Sequence, residues 1–171
     1  LITRTITGIL FVAVLVGATL WNVYSIGLLF LAIAIGCYLE FRYVFSEKKN
    51  KRGLTGGLIS GIILYVSVFL TSVDILGPKL LFWIVPLLFM VLVAEVLKKN
   101  NYSPLNVSLT FLGVIYIFIP FSLTSLVVKL PTAINSFNPG TLLGIFTLIW
   151  INDVFAYLGG LVFGKHKLYE A

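Results

Sequence analysis

The chain of 171 residues is 60% hydrophobic and only 11% charged, with a net charge of +6 and a mean hydropathy of +1.09. Soluble domains run near half apolar and a quarter charged, and a chain this short has no core large enough to hide the surplus. A water-soluble fold is therefore excluded, and with it a soluble nucleic-acid binder: the Lys and Arg residues stand between apolar runs, not on a polar face.

A spanning helix takes about 20 apolar residues. The first apolar block, Ile6 to Leu39, is too long for one span and is interrupted at Trp21-Asn22. It predicts two short helices, near 6–20 and 23–41. Cys37, the single cysteine, lies inside the second and has no internal disulfide partner. Glu40 sits at the end of that span beside Arg42, where an interfacial ion pair is the ordinary reading. Ser46 to Gly53 is a charged loop. A third span is expected near 58–73, followed by Asp74 as a loop residue, and a fourth near 80–97, containing Pro86 and ending with Glu95 close to Lys98. Asn100-Asn101-Tyr102-Ser103-Pro104 has the composition of a turn. The fifth span, near 105–128, contains Pro120. Each internal proline removes a backbone donor and predicts a kink. Pro131 to Pro139 forms the longest non-basic loop, and a sixth span follows near 141–163.

Charge supports this count. With residue 4 cytoplasmic, six spans put residues 42–52, 98–103 and 164–171 on the same side. With Arg4, these segments hold 10 of the 12 Lys and Arg residues, leaving only Lys79 and Lys129 opposite. Lys and Arg gather on the cytoplasmic side of membrane proteins. The expectation is an all-α integral membrane protein: a single domain, a bundle of about six transmembrane helices with both ends cytoplasmic.

Asp153 is the leading candidate for chemistry. A carboxylate inside a span is costly and is usually turned to the bundle interior or a wet cavity. Asp153, Ala156, Tyr157, Gly160 and Gly164 fall at i, i+3, i+4, i+7 and i+11, one helical stripe. Gly140 and Gly144 add small residues at the start of the same helix, and close helix packing is their simplest explanation. Lys165, His166 and Lys167 suit phosphate binding but equally suit a topological anchor. The sequence offers no second His or Cys for a zinc site, no phosphate-binding Gly-rich loop and no Ser-His-Asp set.

The run from Trp150 to Leu168 resembles the phosphatidate cytidylyltransferases (CDP-diacylglycerol synthases), whose motif has the form N-D-x-x-A-Y-x-x-G-x-x-F-G-K-H-K-L. Asn152, Asp153, Ala156, Tyr157, Gly160, Phe163, Gly164, Lys165, His166, Lys167 and Leu168 fill every fixed position. Arg4, Gly8 and Glu40-Phe41 resemble the family more loosely. The resemblance implies condensation of CTP with phosphatidic acid to give CDP-diacylglycerol and pyrophosphate, with Mg²⁺, at the cell inner membrane. It implies Asp153 as the catalytic anchor and a possible metal ligand, and Asn152, Tyr157, Lys165, His166 and Lys167 as substrate-binding residues. Family members continue with an S-P-K-K-T-x-E-G-like stretch and a later segment with K-D, H-G-G and D-R-x-D. Neither appears here, so the expectation is a partial chain that is inactive alone, with the main metal ligands elsewhere. A homodimer stays open. The competing readings are a CTP-dependent or polyprenol-type lipid kinase, a small transporter or channel using Asp153 as its ion site, and a non-catalytic membrane scaffold. A transporter predicts two similar halves with broken helices, and no such symmetry is present.

Overall fold

The computed structural model describes residues 2–45, 54–83, 104–127 and 138–164, together with residues 86, 89, 90, 93 and 97. Among these residues the chain is mainly helical, with no strand. The helices are α1 (Ile2–Trp21), α2 (Val23–Phe45), α3 (Leu54–Ser72), α4 (Pro104–Gly113), α5 (Ile119–Val127) and α6 (Pro139–Phe163). A 3₁₀ turn, Pro78–Trp83, follows α3, and a π-helical turn, Val114–Phe118, joins α4 to α5.

The break expected at Trp21-Asn22 is present, and side chains make it without glycine or proline. Asn22 Oδ1 accepts from Tyr24 N (3.4 Å), and Ser25 Oγ accepts from Asn22 N (3.1 Å). The Ser25 proton goes to the carbonyl of Ala18 (2.7 Å) or Asn22 (2.6 Å). The Ala18 bond covers a carbonyl in the last turn of α1, where no intrahelical donor remains. It spans seven residues, which a continuous helix cannot close, so the chain bends sharply at Asn22.

Pro120 also acts as expected, though the distortion takes the form of a π turn. Proline has no N–H, so the carbonyl of Tyr116 lacks its usual donor four residues on. The helix widens ahead of it, and the Ile119 N–H bonds Val114 O, five residues back. The helix then continues through Pro120 into α5.

The core lies between α2, α3 and the α4–α5 helix. Ile26, Phe30, Ala34 and Tyr38 recur every four residues along α2, and all are buried. They meet Leu64, Tyr65 and Val68 from α3, and Val114, Ile117 and Phe118 from the π turn. Four glycines set the spacing. A Cβ at Gly27 would collide with the Phe69 ring, at Gly57 with the Tyr38 hydroxyl, at Gly61 with the Phe118 ring, and at Gly113 it would come 2.7 Å from Tyr38 Cε2. Tyr65 Oη donates to Gly27 O (2.8 Å), a buried bond tying α3 to α2. These pairs orient the bundle. The last turns of α2 lie against Gly57 of α3 and Gly113 of α4.

Span length supports three of the expected six. Among the described residues, three helical stretches are long and apolar enough to cross a membrane: Val23–Phe45, Val107–Val127 and Pro139–Val162. Thr5–Trp21 and Gly56–Ser72 are apolar but shorter, with 10–17 residues. The expected span at 80–97 opens as a 3₁₀ turn rather than an α-helix, and most of it lies outside the described residues, as do Glu95 and the loop at 131–137.

Candidate functional site

Helix α6 divides into two halves. Asn138 caps its start by accepting from Gly140 N (2.9 Å), and Pro139 occupies the first turn, where its missing N–H costs nothing. Leu142 is buried, and Phe146 stacks on Trp150 (6.1 Å) and meets Phe30 of α2 (6.1 Å). This half docks on the core because its large side chains recur every four residues. From Ile151 to Gly164 no residue whose side chain is described is buried.

The candidate residues lie on that second half. Asn152, Asp153, Ala156, Tyr157 and Gly160 are all exposed, Tyr157 at 69%. The stripe expected to face the bundle interior therefore faces outward. Gly144, Gly159 and Gly160 have no atom within 4 Å of an added Cβ, so packing inside this bundle does not explain them. The close-packing role falls instead to Gly27, Gly57, Gly61 and Gly113. Sequence reasoning missed these four, although Gly57 and Gly61, at i and i+4 in an apolar helix, have the spacing of a small-residue packing face.

Gly164 ends the helix. Its N–H bonds Gly160 O (3.0 Å) while its own backbone turns extended, and a Cβ there would run into that same carbonyl. The chain thus leaves the helix immediately before Lys165, His166 and Lys167, which lie outside the described residues. Among the described residues, no three His, Cys, Asp or Glu side chains gather as a metal site. The Asn152–Leu168 motif supplies one carboxylate, Asp153.

Three span-length apolar helices, one of them carrying Asp153, mark this as a membrane protein. The model of the cytidylyltransferase family matches residues 2–171, nearly the whole chain. The chain belongs to that family, which includes the phosphatidate cytidylyltransferases, and CTP-dependent cytidylyl transfer is its chemistry. No curated protein and no solved structure matches it.

Proposed function

We propose that the protein transfers the cytidylyl group of CTP to phosphatidic acid in the inner membrane, within phospholipid synthesis. A phosphate oxygen of phosphatidic acid attacks the α-phosphorus of CTP. The bond from that phosphorus to the oxygen bridging it to the β-phosphorus breaks. The products are CDP-diacylglycerol and pyrophosphate. The observation that carries the reading is the complete Asn152–Leu168 motif, its helical part borne on a span-length helix in a chain of this family.

Two polyanions must meet at the membrane surface, so the site has to offset their repulsion and hold them in line. Asp153 anchors and orients polar substrate groups within the apolar span. Asn152 and Tyr157 offer hydrogen bonds beside it, and Lys165, His166 and Lys167 receive phosphate where the chain leaves the helix. Mg²⁺ belongs to the proposal as the ordinary counter-ion of nucleotidyl transfer.

The test supplies CTP labelled at its α-phosphorus to the protein in liposomes, with phosphatidic acid, a polyprenol or no acceptor. Phosphatidic acid should take the label into CDP-diacylglycerol, with matching pyrophosphate release. Label passing to another acceptor, with none to phosphatidic acid, would overturn the substrate assignment.

A further inference from the structure

Past Ser72 the chain turns back on itself. Asp74 takes the left-handed backbone conformation (φ 60°). The N–H groups of Asp74, Ile75 and Leu76 return to the carbonyls of Thr71 (3.2 Å), Leu70 (3.0 Å) and Leu70 (3.2 Å). Those bonds close the end of α3, where carbonyls lack intrahelical donors. The 3₁₀ turn Pro78–Trp83 follows. The α1–α2 break sits at the same end, because Tyr24 meets Phe69 of α3 edge-on at 6.1 Å.

This end of the bundle mixes charge with large apolar surface. Asp74 and Lys79 are exposed. So are Ile75, Phe82 and Trp83 in the same stretch of chain, and Trp21 at the break; Trp21, Phe82 and Trp83 are 86%, 80% and 71% exposed. Neither bulk water nor hydrocarbon suits that mixture. Water disfavours so many large apolar side chains displayed at one end. Hydrocarbon disfavours the carboxylate and the ammonium. The headgroup layer accepts both: a Trp ring is apolar with one polar N–H, and a lysine carries its charge on an apolar stem that reaches phosphate.

The spacing along α2 agrees. Tyr24 and Tyr43 are exposed near its two ends, about 28 Å apart at 1.5 Å per residue. That is close to a hydrocarbon core about 30 Å thick, so α2 presents a ring at each boundary.

We propose that the turn from Asp74 to Trp83, together with Trp21, is a lipid-interface anchor. It seats in the headgroup layer, with Ile75, Phe82 and the two indoles against the upper acyl chains and the Lys79 ammonium on lipid phosphate. The surface fixes the depth of the bundle in the bilayer, and it does not depend on the reading of the α6 motif.

The test uses depth-dependent quenching in phosphatidylcholine vesicles that carry bromines either high, near the glycerol, or deep, near the bilayer centre. The chain has three tryptophans, Trp21, Trp83 and Trp150. Trp21→Phe with Trp150→Phe leaves Trp83 as the only reporter, and Trp21→Phe with Trp83→Phe leaves Trp150, which stands near the middle of the span-length α6. Trp83 should be quenched about twofold more by shallow than by deep bromines, and Trp150 should show the reverse order. Trp83 quenched by aqueous iodide as fully as a free indole would place the turn in water and overturn the proposal. Equal or stronger quenching of Trp83 by deep bromines would overturn it from the other side. A second reading leaves all three tryptophans in place: a spin label on Lys79→Cys, in a Cys37→Ser chain, should report a depth at the lipid phosphates. A label in bulk water or at the bilayer centre would refute the anchor.

Discussion

The contact between Gly61 and Phe118 gives the sharpest test of how the bundle is held. Carbon atoms rest about 3.5–4.0 Å apart at contact, and an added Cβ at Gly61 would sit well inside that distance from three atoms of the Phe118 ring. Phe118 is 0% exposed, so the ring has no free space to retreat into. In Gly61→Ala, either α3 backs away from the α4–α5 helix or the ring leaves its rotamer, and overpacking of this kind costs about 1–3 kcal/mol. Alanine returns up to about 1 kcal/mol of helix propensity. The net loss should be about 1–2 kcal/mol, read by denaturant titration in micelles followed by far-UV circular dichroism. Phe118→Leu shortens the side chain that the new methyl strikes. The double variant should therefore be more stable than the sum of the two singles predicts, by about 1 kcal/mol. Gly144→Ala is the control, because nothing lies within 4 Å of its Cβ, and it should be neutral or slightly stabilising. If Gly61→Ala and Gly144→Ala titrate alike, the glycine-spaced interface is wrong.

Tyr65→Phe removes the bond to Gly27 O, and the same titration should show a loss of about 0.6–1.5 kcal/mol. No loss would mean that the bond adds nothing to α2–α3 docking. Ser25→Ala strips the cap at the α1–α2 break and should cost about 1 kcal/mol, with faster amide exchange confined to residues 18–26. Asp153→Asn should reduce cytidylyl transfer about a hundredfold at an unchanged melting temperature, as expected when a charged anchor is lost and no packing is. Unchanged turnover would leave the α6 motif without a catalytic carboxylate. Gly160→Leu should leave the melting temperature where it is, since no neighbour meets its Cβ, and a large drop would show that this face is packed after all.

What was legible in the sequence follows from where each signal resides. The break at Asn22 and the distortion at Pro120 are local: one polar pair and one missing N–H act within a few residues, and both appear where expected. Apolar runs gave the helices, because a helix satisfies its own backbone in any apolar surrounding. The interior glycines, by contrast, were illegible. Gly8, Gly17 and Gly36 also sit in apolar helices, yet an added Cβ at each meets nothing within 4 Å. Only the approach of Phe69, Tyr38 or Phe118 from another helix gives Gly27, Gly57, Gly61 and Gly113 their role.

The candidate site shows the same division between local pattern and tertiary placement. The motif was legible because its chemistry is written in consecutive turns of one helix, and the family assignment agrees with it over nearly the whole chain. Its orientation was not, since the argument for an inward Asp153 rested on the cost of a carboxylate in lipid, about 2.5–3.5 kcal/mol at a helix centre. The bundle core closes without that half of α6: Leu142 and Phe146 dock the helix, and no described side chain beyond Trp150 is buried. The exposed stripe of Asp153, Ala156, Tyr157 and Gly160 takes nothing from the described core, and the proposed role of Asp153 rests on the motif rather than on packing.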